Sequence, residues 1–417
     1  MPVLIDKVPA PKTAPPPPRL WRWLLLLPLL LLLGVGLTLW LGRDTWADQP
    51  TRFWLVALAV PLLTWCALGF FRALGYLAQA SIAEGWNRQR AVDLARKLRQ
   101  GRRSQQVLAV SLYTALRELD TQDGTAQQLA FHSASKALKV QADWGKAEEG
   151  VRHSRLACEQ GETPETLLAR VIRQVLADIA KVLAALPHDR PLALLLEMNS
   201  SLPEQTLNER WQQAWRESGI RQPVSRIDGA GLAAVDHWLD QRIHDQALLL
   251  VVALQLAPAE VEGTAETAVG LLFGNRLTQT LVEPLAYLHR PEQARAASTE
   301  ALCAATHQAL DWVPLSGAAI CHAWQAGVEV HSTSSIATVV SECAMSVKGA
   351  QGLHNLDAML GDPGCVTPWL VIAAAVESVR TDAAPHVIFT GEANDPRLWC
   401  SVVMPASSNQ EQQTDAQ

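Results

Sequence analysis

The short signatures of common nucleotide and hydrolase sites are missing from this 417-residue chain. It has no GxxxxGKS/T, GxSxG, HExxH or GxGxxG, and so no phosphate-cradling loop, nucleophile elbow, helical zinc pair or dinucleotide turn. Cysteine is sparse and scattered: Cys66, Cys158, Cys303, Cys321, Cys343, Cys365 and Cys400 include no CxxC pair. That spacing excludes a disulfide framework and any sequence-local zinc site, and it fits reduced thiols in apolar surroundings. No cofactor and no metal is expected. Charged residues make up 18% of the chain and are withheld altogether from two long runs near the start.

Those runs dominate the first eighty residues. Trp23 to Gly42 is twenty residues without a charge, and Phe53 to Phe71 is nineteen more. At about 1.5 Å per residue, each can cross a hydrocarbon core about 30 Å thick. A buried core helix seldom needs an apolar surface all round, and a cleaved signal peptide would not be followed at once by a second run. The expectation is a two-helix transmembrane hairpin over residues 20–78, with Pro28 and Pro61 kinking the spans and Trp21, Trp23, Trp40, Trp46 and Trp54 near the interfaces.

Charge predicts the orientation. Lys7, Lys12, Arg19 and Arg22 precede the first run, and Arg72, Arg88, Arg90, Arg96, Lys97, Arg99, Arg102 and Arg103 follow the second. Positive flanks stay inside, so both termini are expected in the cytoplasm, with a short outer connector. Residues 1–103 carry a balance of +9 and residues 104–417 one of −15. So acidic a body excludes nucleic acid as a partner and leaves only the basic neck for anionic lipid.

Five segments follow: a Pro-rich tail (1–19), the hairpin (20–78), a basic juxtamembrane helix (79–104), an α/β body (105–406) and a polar tail (407–417) expected to be disordered. The Pro15–Pro18 run favours a polyproline II spacer, and the neck reads as a topology anchor or a lipid-recognition face. In the body, Val107–Tyr113, Pro191–Glu197, Ala247–Leu256 and Thr267–Gly274 read as strands. Ala318–Trp324, Ala326–His331, Pro385–Thr390 and Trp399–Met404 are further strands. Helices are expected over Thr125–Leu138, Thr163–Leu186, Pro203–Gly219, Gly229–His244, Ala294–Asp311, Ser335–Val347 and Val366–Val379.

The run Glu266–Leu272, the turn Gly361-Asp362-Pro363-Gly364 opening an alanine-rich helix, and the closing hairpin through Gly391 carry a resemblance. Over residues 188–404 their order is similar to the thiolase and ketoacyl-synthase fold. The resemblance implies a buried helix after a GHxxG-like stretch, close to an acyl substrate, and by analogy a homodimer. It does not bring the catalytic groups with it. No cysteine lies between Pro187 and Leu302, no HGT-like loop lies near Trp312–Gly317, and the second family histidine would fall at Ala358. The implied fold class is a mixed α/β thiolase-like cytoplasmic domain after a transmembrane hairpin, catalytically silent, with His354, Asp357, Gly361, Asp362 and Gly364 as candidate pocket residues.

The chain also resembles the membrane-associated adaptors of lipase toxins in bacterial type VI secretion. That resemblance implies an inner-membrane protein holding a secreted effector or spike component. The alternative is an acyl-transfer enzyme using Cys321, Cys343 or Cys365 with His322 or His354. Adjacent strand positions point to opposite faces, which argues against Cys321 with His322. Cys303 with His307, at i and i+4 on a helix, reads as packing or as part of a metal pair.

Overall fold

The computed structural model describes residue 3 and residues 5–41, 50–119, 124–144, 150–392 and 395–406. Gly42, the outer connector and the polar tail lie outside the described residues. The chain divides into two compact units, residues 4–98 and residues 99–417 with 1–3.

The first unit contains two helices long and apolar enough to cross a membrane, Leu20–Leu41 and Thr51–Gly101. The second runs through a π-helical turn at Leu55–Ala59 and carries the second apolar run, from Phe53 to Phe71, and the basic neck on one helix about 75 Å long. The helices lie antiparallel: Trp65 Nε1 donates to Trp23 O at 2.9 Å, and Gly34 is pressed against Ala57 O and Pro61. Beyond their ends the Pro-rich tail follows the neck. Arg90 Nε donates to Pro9 O at 2.7 Å, Asn87 exchanges two hydrogen bonds with the Lys12 backbone, and the Lys12 ammonium sits over the Trp86 ring.

The body is built twice over. Its first half holds β1 (Ser104–Tyr113), an annexed hairpin of β2 (Lys139–Ala142) and β3 (Gly150–His153), then β4 (Leu192–Asn199), β5 (Val224–Arg226), β6 (Leu248–Gln255) and β7 (Thr267–Asn275). The second holds β8 (Ala286–His289), β9 (Glu292–Gln293), β10 (His322–Ala326), β11 (Leu353–Asn355), β12 (His386–Glu392) and β13 (Asp395–Pro405). The sheet order is β11-β10-β12-β13-β8-β1-β7-β6-β4-β5, with β9 beside β13. Counting the main strands of each half in chain order, both halves read 3-2-4-5-1. They meet where β1 and β8, the first strand of each, pair antiparallel from Ser104↔His289 to Val107↔Ala286.

Composition explains the layers. β6 is LLLVVALQ, with every residue buried, as a strand covered on both faces requires. The helix Pro164–Leu183 begins at Thr163 with a capping box and Pro164 in the first turn, and its Leu167-to-Leu183 stripe packs with Glu204–Glu217 on one outer face. The helix Thr367–Asp382 is apolar around its circumference from Pro368 to Val376 and buried throughout that run, so it belongs in the core, where it packs against strands of both halves. It shares the central cluster with Leu232, Val235, Trp238 and Leu239 of the helix Gly231–Gln241. Thr299–Trp312 covers β13, and Val330–Glu342 packs beside it.

Three expectations are corrected. Ala326–His331 is not a strand: β10 stops at Ala326, Gly327 turns with φ +66°, and a helix begins at Val330 rather than Ser335. Residues 317–319 form a 3₁₀ turn before β10. The helix expected over Thr125–Leu138 ends at His132, because Ala134 takes φ +51°.

Candidate functional site

Where the carboxyl ends of β10 and β12 meet the loops before the buried helix there is a cleft of about 510 Å³. Gly327 follows β10 and Gly391 lies near the end of β12; a Cβ on Gly391 would run into Gly327 O, and one on Gly327 would sit 2.5 Å from Thr367 Cγ2. Gly361, with φ +101°, lets its loop approach the Gly263 and Thr264 carbonyls. Gly364 backs onto Gln255, whose amide donates to Asp362 O at 2.8 Å. The small-residue turn thus keeps the cleft open and its walls close.

The polar lining is carboxylate: Glu329, Asp357, Asp362, Glu392 and Asp395, with the Ser332 and Thr367 hydroxyls. Asp357 accepts the Gly327 and Val328 amides at 2.9 and 3.0 Å, holding the turn after β10. Burial still pushes its carboxyl up to about 6, against those two hydrogen bonds. Asp395 is held low, at about 2, by the Arg397 guanidinium that grips it.

Beside the cleft, the helix Gly231–Gln241 begins between two acids. Glu197, at the end of β4, accepts the Gly231 amide and Trp369 Nε1, each at 3.1 Å. Glu392 stands 2.9 Å from where a Cβ on Gly231 would lie, so glycine is the residue that fits. Burial raises both carboxyls; Glu392 adds to the rise at Glu197, and Asp395 adds to that at Glu392.

Of the five candidate pocket residues, Asp357, Gly361, Asp362 and Gly364 line this cleft together. His354 does not. It lies on β11 at the opposite ends of the strands, its ring stacked on Trp324 with centroids 4.0 Å apart. The sequence reading missed Gly327, Glu329, Glu392 and Asp395. The one available signal was Gly391 paired against Gly327, which becomes visible only once β10 and β12 are known to be neighbours. Ala358 is exposed on the short helix Leu356–Leu360 and does not line the cleft.

Among the described residues lining the cleft there is no thiol or imidazole. Cys321 is exposed, and Cys365 is half-buried with its Sγ 3.7 Å from Leu254 O and its thiol pushed up to about 12 by burial and then by Glu197. A thiol–imidazole contact does form, but between Cys343 and His307 at 3.7 Å, with Cys303 4.0 Å away. Burial followed by Cys303 drives the Cys343 thiol up to about 12, the reverse of what a nucleophile needs. A second hollow of about 490 Å³ beside β1 and the helix Pro164–Leu183 has its charges paired, Arg170 with Glu162 and Lys181 with Asp178.

No family model matches the sequence and no curated protein matches it. Solved structures do. An ishigamide ketosynthase/chain length factor superposes with a TM-score of 0.52 at 13% identity, covering 72% of this chain and 99% of that one. The ketosynthase of a type II polyketide synthase, in complex with its acyl-carrier protein (AntDE:AntF), superposes with a TM-score of 0.50 at 10% identity, covering 73% and 99%. The body of this chain therefore has the thiolase-like, ketosynthase-type α/β fold.

Proposed function

We propose that the chain is a membrane-anchored binding protein whose ketosynthase-type body recognises a partner and performs no acyl transfer. The observation that carries this reading is the cleft lining: five carboxylates and, among the described residues, no thiol and no imidazole. Acyl transfer from a thioester needs a nucleophile within reach of the carbonyl and a group to activate it. What a carboxylate-rich cleft in a body of balance −15 does suit is a basic segment of another protein. The resemblance to type VI adaptors makes a secreted effector or spike component the first candidate to try.

The anchor is a hairpin in the bacterial inner membrane with both termini cytoplasmic. The charge asymmetry supports it, and so do the contacts of Pro9 and Lys12 with Arg90 and Asn87, which keep the two polar flanks together beyond the ends of the antiparallel apolar segments. Anionic lipid meets the basic neck, and a homodimer follows by analogy with the fold.

Two measurements test the reading. Full-length protein in detergent retains a partner under affinity capture, and Glu329→Lys at the exposed cleft rim lowers that partner's recovery at least tenfold; equal recovery would remove the cleft from the account. Protease added outside intact spheroplasts leaves the body whole, and digestion would reverse the topology.

A further inference from the structure

The amino ends of the second-half strands hold a cluster that neither the cleft nor the anchor uses. His322 opens β10 and His386 opens β12, paired in register; His354 of β11 is in register with Trp324. His132, ending the helix Thr125–His132, covers them with its ring centroid 5.1 Å from that of His354 and 5.5 Å from that of His322. Asp382, ending the buried helix, accepts from His386 Nε2 at 2.8 Å and lies 3.4 Å from His322 Nε2. One ligand nitrogen from each of His132, His322 and His354 falls within 4.8 Å of the others.

The hydrogen bonds fix where these rings face. Trp324 Nε1 donates to His386 Nδ1 at 3.2 Å, so His386 carries its proton on Nε2, towards Asp382. His322 stands between His354 Nε2, 3.0 Å from its Nδ1, and Asp382, 3.4 Å from its Nε2. A proton on His322 Nδ1 makes a hydrogen bond to His354 Nε2; a proton on its Nε2, towards Asp382, leaves two facing lone pairs that a cation can bridge. His132 adds a third ring, its Nε2 2.9 Å from Ser378 Oγ. Nitrogens at about 2.0–2.1 Å from a tetrahedral ion lie about 3.3 Å apart, close to the separation seen.

The fold supplies its own control. In the first half, the inward-facing pair of strands two and four at the same end is Ala193 against Leu249. The architecture is satisfied there without a polar group.

We propose that His132, His322 through Nδ1 and His354 through Nε2 bind a divalent transition-metal ion of the zinc class. Asp382 orients His322 through its other ring nitrogen, as acceptors commonly do behind metal-bound imidazoles. The site lies at the opposite strand ends from the cleft and uses neither its carboxylates nor a thiol.

The test uses the full chain in detergent, stripped with a chelator and titrated with zinc chloride against a chromophoric competitor. One tight equivalent per chain is expected. His322→Gln with His354→Gln weakens it at least 100-fold, and Asp382→Asn weakens it 10- to 100-fold. His307→Gln, in the Cys303–Cys343 cluster, leaves it unchanged. Cobalt in place of zinc gives visible absorption without a sulfur-to-metal band. The absence of a tight equivalent, a sulfur-to-metal band, or an equivalent that persists in the double histidine variant overturns the proposal. Should the double variant fold poorly, unchanged affinity in Asp382→Asn overturns it instead.

Discussion

At their amino ends, the inward faces of strands two and four carry Ala193 and Leu249 in the first half of the body and His322 and His386 in the second. At their carboxyl ends the first half pairs Asn199 with Gln255, joined by a 2.9 Å side-chain hydrogen bond, while the second runs into Gly327 and Gly391. One strand order has been filled in two ways. The first half is closed by aliphatic packing and amides, as a structural half would be. The second half opens a cleft at one end of its strands and gathers imidazoles at the other. Duplication thus separates what the architecture needs, which both halves show, from what it tolerates for another purpose.

The comparison breaks most severely at the seam. Arg290, just after β8 in the second half, is fully buried and pairs with Asp236 at 2.6 Å and Asp240 at 2.8 Å on a first-half helix. Arg290→Met removes the buried cation from both acids, leaving Asp240 with Arg103 at 3.8 Å, and a loss of about 3–5 kcal/mol is expected in chemical denaturation. A loss under 1 kcal/mol would mean that the halves do not depend on this bridge.

Protonation gives the next largest effect. Glu292 accepts Trp312 Nε1 at 2.6 Å, and burial, only partly offset by that bond and Arg290, raises its carboxyl to about 7. The folded state therefore holds a proton that the unfolded chain has released. Stability from this group is complete below about pH 4.5 and is lost as pH rises through about 7, by up to about 3 kcal/mol. Glu292→Gln flattens that slope in denaturation curves recorded across pH, and an unchanged slope contradicts the assignment.

A smaller change separates the carboxyl ends. Gly391→Ala sets a methyl group against Gly327 O and should cost about 1–3 kcal/mol. Ala253→Gly, a removal in the first half's β6, probes that half by loss of packing and not by a clash. Of similar size, replacing His322 and His386 with leucine makes the second half resemble the first; metal-free stability is expected to fall by about 1–3 kcal/mol, because buried Trp324 Nε1 loses its acceptor. A loss above 3 kcal/mol would make those histidines structural.

Much of this architecture was legible because it depends on local periodicity. Ala247–Leu256, Thr267–Gly274 and the closing hairpin coincide with β6, β7, β12 and β13 to within a few residues, since each is a β-rich run bounded by turn residues. The short strands β8, β9 and β11 were not legible, for two to four residues carry no period of their own. Four of the five candidate residues line one cleft because Asp357–Gly364 is one local stretch. Glu329, Glu392 and Asp395 reach the same cleft from other strand ends, and the imidazole cluster draws on positions 132, 322, 354 and 386. Only strand register and tertiary packing bring such residues together, and single-sequence spacing encodes neither.

The central claim is that the body binds without forming a covalent acyl intermediate. Intact mass spectrometry of the full-length protein after incubation with an excess of acyl thioester tests it directly. The account predicts an unmodified chain, with Cys343 and Cys365 still free. A stoichiometric acyl adduct mapped to any cysteine would contradict it.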